Sequence, residues 1–245
     1  ENSAGASSAM AFQDKVTDFY DLPPTCFEGY KVLVEGVSRT GTDDFYVEYS
    51  DTLNNWEETQ QHGLFNKLAS ETMPHKLVRE ADGTFTFQEI AWDSRTVGDV
   101  DTAPDPSFVN KKLSSLFFHK DRLGLLSEEN IILSEVGSYY NFYATTVRAS
   151  LATRVLDITI SDDKIAFLKH AVVFDDSLLV FSKYSQFAVT SENAFTANNV
   201  VANVTTRFES STRAVPVAAG KNIFFPVFRG GWSGLREYYV STDFN

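Results

Sequence analysis

Apolar residues in this chain fall in short runs, some alternating with polar neighbours and some continuous, divided by glycine, proline, asparagine and aspartate. That spacing predicts strands, because runs this short do not sustain a helix. The most strongly patterned stretch is 115–143, SLFFHKDRLGLLSEENIILSEVGSYYNFY. Its continuous apolar runs suit two strands buried on both faces, joined at the polar tip Ser127-Glu128-Glu129-Asn130. An aromatic strand or turn follows at Tyr139-Tyr140-Asn141-Phe142. Asp121-Arg122 sits where the first strand turns, and the pair is expected to serve structure, either bonding exposed backbone or forming an ion pair.

Upstream, Met10-Ala11-Phe12 and Val16 are the only apolar anchors of a lead segment that ends in a proline turn at 21–25. Strands are predicted at 30–36 and 45–49, linked by a polar hairpin loop at 38–44, and a third carries Trp56. Residues 63–70 read as either a helical turn or a loop. Residues 76–79 and 84–90 flank Glu80-Ala81-Asp82-Gly83, whose Asp-Gly is a strong hairpin signal because both central positions favour φ > 0. The acidic, proline-bearing run 98–106 marks a domain boundary. Residues 107–113 read as a short helix feeding the central hairpin, and 147–156 as a linker or insertion. Further strands are predicted at 157–160, 166–174, 178–182, 186–190, 200–208, 214–218, 222–228 and 235–240. Asp175-Asp176-Ser177, Gly220-Lys221 and Gly230-Gly231 supply turns between them. Many short antiparallel strands at this spacing leave a barrel, a sandwich and a propeller open.

Composition sharpens the picture in three places. With Phe 21 and Tyr 10 against Met 2, the chain is aromatic-rich in the manner of strand proteins. Its single cysteine, Cys26, cannot form an internal disulfide and reads as a small filler beside Pro23-Pro24. The net charge of −12 is uneven: residues 1–106 hold 20 acidic against 7 basic residues, and residues 107–245 hold 13 against 14. An acidic module, 1–106, thus precedes a nearly neutral one, 107–245. An acidic excess is either a solvated face or a surface that must not adhere to a polyanion, and it disfavours sequence-reading DNA binding. No apolar stretch approaches the roughly 18 residues of a membrane span, and no basic-then-apolar leader opens the chain. Its start at Glu1 and abrupt stop after a strand-like run suggest a piece of something larger.

Candidate chemistry is sparse. His62, His75, His119 and His170 lie far apart without metal-ligand spacing. Gly231-Trp232-Ser233-Gly234 approaches a hydrolase elbow, but Leu235 stands where the motif needs glycine, so 230–234 reads as a turn. The carboxylate pairs Asp43-Asp44, Glu57-Glu58, Glu128-Glu129, Asp162-Asp163 and Asp175-Asp176 lie in turns or on opposite faces of strands. Asp99-Val100-Asp101 lacks the other ligands of a calcium loop. There is no phosphate-cradling glycine loop, and the sequon Asn203-Val204-Thr205 has no secretory context. Trp56, Trp92 and Trp232 suit core packing better than a sugar-stacking platform. No catalytic, cofactor or metal residue is nominated.

The central stretch resembles the signature segment of the tail nozzle protein (tail tubular protein B) of short-tailed bacteriophages. The features that carry the likeness are Arg122-Leu123-Gly124, Ser127, Asn130 and Tyr140-Asn141-Phe142. Flanking segments extend it in order over about residues 20–240. They include Trp56-Glu57-Glu58-Thr59, Met73-Pro74-His75, Pro106-Ser107-Phe108-Val109, Gln186-Phe187-Ala188-Val189 and Arg236-Glu237-Tyr238-Tyr239.

The resemblance implies a mainly β fold, with a small β-rich N-terminal module followed by antiparallel strands of a partial β-propeller-like domain. It implies a non-enzymatic virion protein at the distal end of the short non-contractile tail, in a homo-hexameric ring with an acidic lumen. That ring would continue the DNA ejection channel below the tubular adaptor protein and anchor tail fibres. Genome DNA would pass without sequence-specific binding, without cofactors and without membrane insertion by this segment. The alternative reading is a β-rich phage carbohydrate-binding or polysaccharide-degrading module.

Overall fold

The computed structural model describes residues 14–37, 41, 43–64, 67–174, 177–191 and 195–239. The predicted anchors Met10-Ala11-Phe12, most of the loop at 38–44, the turn at Asp175-Asp176 and Val240 lie outside them. Strands carry nearly all the regular structure described, in several antiparallel sheets with no closed barrel. Helical geometry is limited to single 3₁₀ turns at Phe19–Asp21 and Ser70–Thr72. The chain forms two compact units, one of residues 1–68, 94–105 and 143–150, the other of 69–93, 106–142 and 151–245.

The first unit is built on a four-stranded sheet of β1 (Lys15–Val16), β2 (Lys31–Val34), β3 (Phe45–Ser50) and β4 (Asn55–Thr59). The order is sequential, with β1 parallel to β2 and the rest antiparallel. Alternation does what the sequence predicts: Val32, Val34, Val47, Tyr49 and Trp56 turn to one face and form its core. Asn54 takes φ 50° at the β3–β4 turn. Trp56 satisfies its indole by donating to the Pro23 carbonyl at 2.8 Å and meets the Tyr49 ring edge-on. Cys26 packs half-buried against this core.

The second unit stacks three antiparallel meanders. The first is β7 (Leu113–His119), β8 (Arg122–Ser127), β9 (Asn130–Leu133) and β10 (Leu156–Thr159). The second is β11 (Leu168–Phe174), β12 (Ser177–Ser182), β13 (Gln186–Ser191) and β14 (Val200–Thr206). The third is β15 (Val217–Ala219), β16 (Asn222–Arg229) and β17 (Trp232–Tyr239). A separate two-stranded ribbon, β5 (Lys76–Arg79) with β6 (Phe85–Gln88), precedes them in sequence.

The middle meander is buried on both sides, and period-2 alternation explains how. Leu178 and Val180 of β12 join Leu126, Ile131, Leu133 and Leu156 of the first meander in one core. Their neighbours Leu179 and Phe181 point the other way, onto Ile223 and Phe225 of the third. This is the physical source of the continuous apolar run in β12, and β8 and β9 of the first meander are likewise buried at every residue.

Three local readings differ from the sequence expectation, and a fourth region is open in the sequence between a helical turn and a loop. Residues 107–110 form turns rather than a helix: Val109 N–H donates to Pro106 and Lys111 N–H to Phe108, both at 2.9 Å, and Asn110 takes φ 62°, which ends any helical continuation. The described residues of 63–70, namely 63–64 and 67–69, carry no helix before the 3₁₀ turn that starts at Ser70. In the β5–β6 hairpin Gly83 has positive φ (88°) while Asp82 does not. The loop closes through Glu80 N–H to the Thr84 carbonyl, so Asp82 acts by accepting from Thr84 rather than by entering left-handed space. Trp232-Ser233-Gly234 belongs to β17, and the turn is confined to Gly230-Gly231.

Gly124 has a steric reason to be glycine. It pairs with Phe117 across β7 and β8, and a Cβ there would lie 2.2 Å from the Phe117 ring. Gly124→Ala is expected to overpack this core edge and destabilise the chain by about 1–3 kcal/mol. Urea unfolding checks this, and an unchanged midpoint would mean that the ring has room to move.

Candidate functional site

The stretch that organises the sequence turns out to be a buried polar centre. Lys120 and Asp121 both take positive φ (50° and 57°) in the two-residue β7–β8 turn, the geometry a type I′ hairpin requires. Arg122, next in line, is 1 % exposed. Its guanidinium donates to the carbonyls of Ser134 and Arg154 at 2.7 Å each, and of Ala152 at 3.0 Å. Of the two roles open to this residue, backbone bonding is the one it takes. Burial pulls its pKa down, partly offset by Glu135.

Ser134 adds to the centre by accepting from Leu123 N–H and donating to the Glu135 carbonyl. Asn130 bridges β9 to β10 through Thr159 (2.8 Å) and Asp157 (3.3 Å). Asn141 donates to the Glu135 carboxylate at 2.9 Å. Tyr139 donates to Asp121 at 2.6 Å, and that bond raises the phenol's pKa. Phe142 packs between Trp92 and Phe108, and Tyr140 meets Trp92 edge-on.

The other singled-out residues are scattered through the two units. His62 is exposed; His75 is half-buried and stacks on Phe87; His119 is buried edge-on to Phe195; His170 is buried on β11. No group of three or more potential metal ligands forms among the described residues. Glu57 faces solvent while Glu58 accepts from Thr146 and Val147. Glu128 pairs with Lys111, and Glu129 accepts from Ala166 N–H. Asp162 is buried against Ser185 and Arg207, which hold its carboxyl below the usual range, whereas Asp163 is exposed. Asp99 spends its carboxylate on the backbone of Asp101 and Thr102. Trp56 and Trp92 are core residues; Trp232 alone of the three is exposed.

One cluster around a buried arginine was not anticipated. In the first unit Arg95 pairs with Asp105 at 3.1 Å, Tyr143 donates to the same carboxylate oxygen at 3.1 Å, and the guanidinium lies over the Tyr143 ring. Burial, then Asp105, pushes the Tyr143 phenol up. Nothing in the local run Asp93-Ser94-Arg95-Thr96 singles it out in the sequence.

Exposed apolar side chains occur in both units, and two sets of them share a strand face. Leu77, Phe85 and Phe87 share one face of the β5–β6 ribbon, and Val217, Phe228, Leu235 and Tyr239 share the outward face of the third meander. Nothing in strand alternation foretells this, because a half-buried strand and an uncovered one have the same pattern.

A fold whose conspicuous polar residues hold its strands, and which leaves two strand faces apolar and exposed, offers surfaces for contact with other molecules. Comparison with known proteins makes this particular. The sequence matches the family described as bacteriophage nozzle protein over residues 1–245. It is also 39 % identical over 225 residues to the tail tubular protein gp12 of Escherichia phage T7, covering 92 % of this chain and 28 % of that protein. The chain belongs to the bacteriophage nozzle protein family, and it spans about a quarter of the length of that relative.

One outcome follows from the polar centre and another from a buried histidine on β11. Arg122→Leu leaves three carbonyls without their donor and is expected to cost about 3 kcal/mol or more, with Arg122→Lys recovering only part because an ammonium lacks the planar fork. Chemical unfolding of both variants checks this; equal stability of the lysine variant and wild type would contradict the role of the fork. His170, whose pKa burial lowers from its ordinary 6.5, gives a pH dependence. Its contribution is fully present above 6.5 and is lost as pH falls through the lowered folded value, since the unfolded chain binds the proton first. The melting temperature should therefore decline below about pH 6.5, and His170→Gln should flatten that decline; an unchanged slope would show that other groups govern it.

Proposed function

We propose that this chain is a structural, non-enzymatic part of a phage tail nozzle. Six copies form a ring at the distal end of a short non-contractile tail. The ring continues the DNA channel below the tubular adaptor protein and helps to anchor tail fibres. The observation that carries the reading is the match to the nozzle family over the whole chain. The structure supports it through surface chemistry. Unpaired strand edges and exposed apolar faces are what ring closure covers, and rotational symmetry lets one pair of surfaces serve every copy.

Charge supports the conduit. The first unit holds 15 acidic against 6 basic residues, too few cations to displace the counterions of DNA. In the same proposal the acidic module 1–106 keeps DNA mobile, while the antiparallel domain 107–245 supplies the rigid wall. The three stacked meanders are read as successive blades of a partial β-propeller. The uncovered face of the third, with Val217, Phe228, Leu235 and Tyr239, is where a further blade would pack.

Light scattering and negative-stain imaging of the chain test the ring. A six-fold ring with a central hole supports it, with no retention of duplex DNA at physiological salt. Tight DNA binding, or intact tails that show no six-fold ring around a central hole, contradicts it. Binding or cleavage of surface polysaccharide would favour the carbohydrate reading instead, for which exposed Trp232 is the nearest stacking residue.

A further inference from the structure

The β5–β6 ribbon has no other strand beside it among the described residues, yet an isolated two-stranded hairpin is at best marginally stable in water. Register places Leu77 opposite Phe87 and Arg79 opposite Phe85, so Leu77, Arg79, Phe85 and Phe87 share one face, extended by His75 stacked on Phe87. Leu77, Phe85 and Phe87 are 64 %, 62 % and 70 % exposed. Two aromatic rings so exposed, with a leucine beside them, leave roughly 400 Å² of apolar surface in water, as large as the biggest patch on a typical monomer. Aromatics around an arginine are also the composition of an interface hot spot.

We propose that this ribbon is an arm that docks on a neighbouring copy of the same chain; the inference rests on the ring reading above. The matching surface lies in the first unit. Asp51 N–H donates to the Glu28 carboxylate, which brings the loop of Phe27 beside that of Leu53. Phe27 and Leu53 are 52 % and 58 % exposed, so apolar side chains stand among the carboxylates of Glu28 and Asp51. An apolar face bearing Arg79 and an apolar patch bearing two carboxylates are complementary in charge and character. The ribbon alone offers about half of the ~800 Å² that each partner gives to a specific interface, so it is the centre of the contact, with polar residues around it. Arm and acceptor are different surfaces, hence the contact is head-to-tail and builds a ring when the rotation closes.

The test pairs two variants of the full chain, Phe85→Ser/Phe87→Ser in the arm and Phe27→Ser/Leu53→Ser in the acceptor. All four residues are exposed, so unchanged melting temperatures are expected. Association of each variant alone, read by sedimentation, should weaken about 30-fold or more. Mixed in equal amounts, the two should form one-to-one heterodimers, because each keeps the half that the other has lost. If wild type assembles and the arm variant assembles equally well, the arm proposal fails while the ring reading stands. A mixture that stays monomeric overturns the arm–acceptor pairing. A wild-type chain that never associates overturns the arm's docking on a second copy, and imaging of intact tails then decides the ring reading separately.

Discussion

Strand β8 is buried along its whole length, and a strand without water on either face can leave no polar group unanswered. Arg122 is the answer at its entry point. Three short hydrogen bonds from one guanidinium tie β8 to the carbonyl that ends β9 and to the returning chain at residues 152 and 154, just before β10. The long excursion between β9 and β10 is thereby closed on the strand it left, and β10 is delivered to its place in the sheet. The planar fork is suited to this, since it keeps its charge and spreads its donors over several acceptors. The middle meander then packs on the sheet so formed, and the third packs on the middle one.

Much of this was legible in the chain. Continuous apolar runs marked the doubly buried strands, alternation marked the faces of β3 and β14, and the polar tips marked the turns. The helix expected at 107–113 failed because Pro106 and Asn110 set local turns that outweigh a short apolar pattern. The Asp-Gly turn failed in detail because Asp82 found a better use for its carboxylate, as an acceptor for Thr84. Tertiary partnership lay beyond reach: Phe85-Thr86-Phe87 reads like any half-buried strand, and only the three-dimensional structure shows that both rings stay largely exposed. The same holds for Arg95, whose partners Asp105 and Tyr143 come from separate segments.

The division between interior and surface shapes the functional account. The residues that carry the family likeness, Arg122, Gly124, Asn130 and Asn141, are spent on holding sheets together. The proposed function therefore rests on what the scaffold leaves exposed: an acidic first unit, an uncovered sheet face and the ribbon. For a protein proposed to line a conduit, rigidity of the wall and selectivity of its contacts matter more than any single reactive group.

Amide hydrogen exchange of the isolated chain, resolved by strand, tests the central claim that a doubly buried sheet stack is the rigid body and the ribbon an adjunct. The account predicts the slowest exchange in β8, β9 and β12, approaching the global unfolding free energy, and fast exchange throughout β5 and β6. Equal protection of the ribbon and β8 would contradict it, because the ribbon would then be part of the core that the scaffold is said to hold without it.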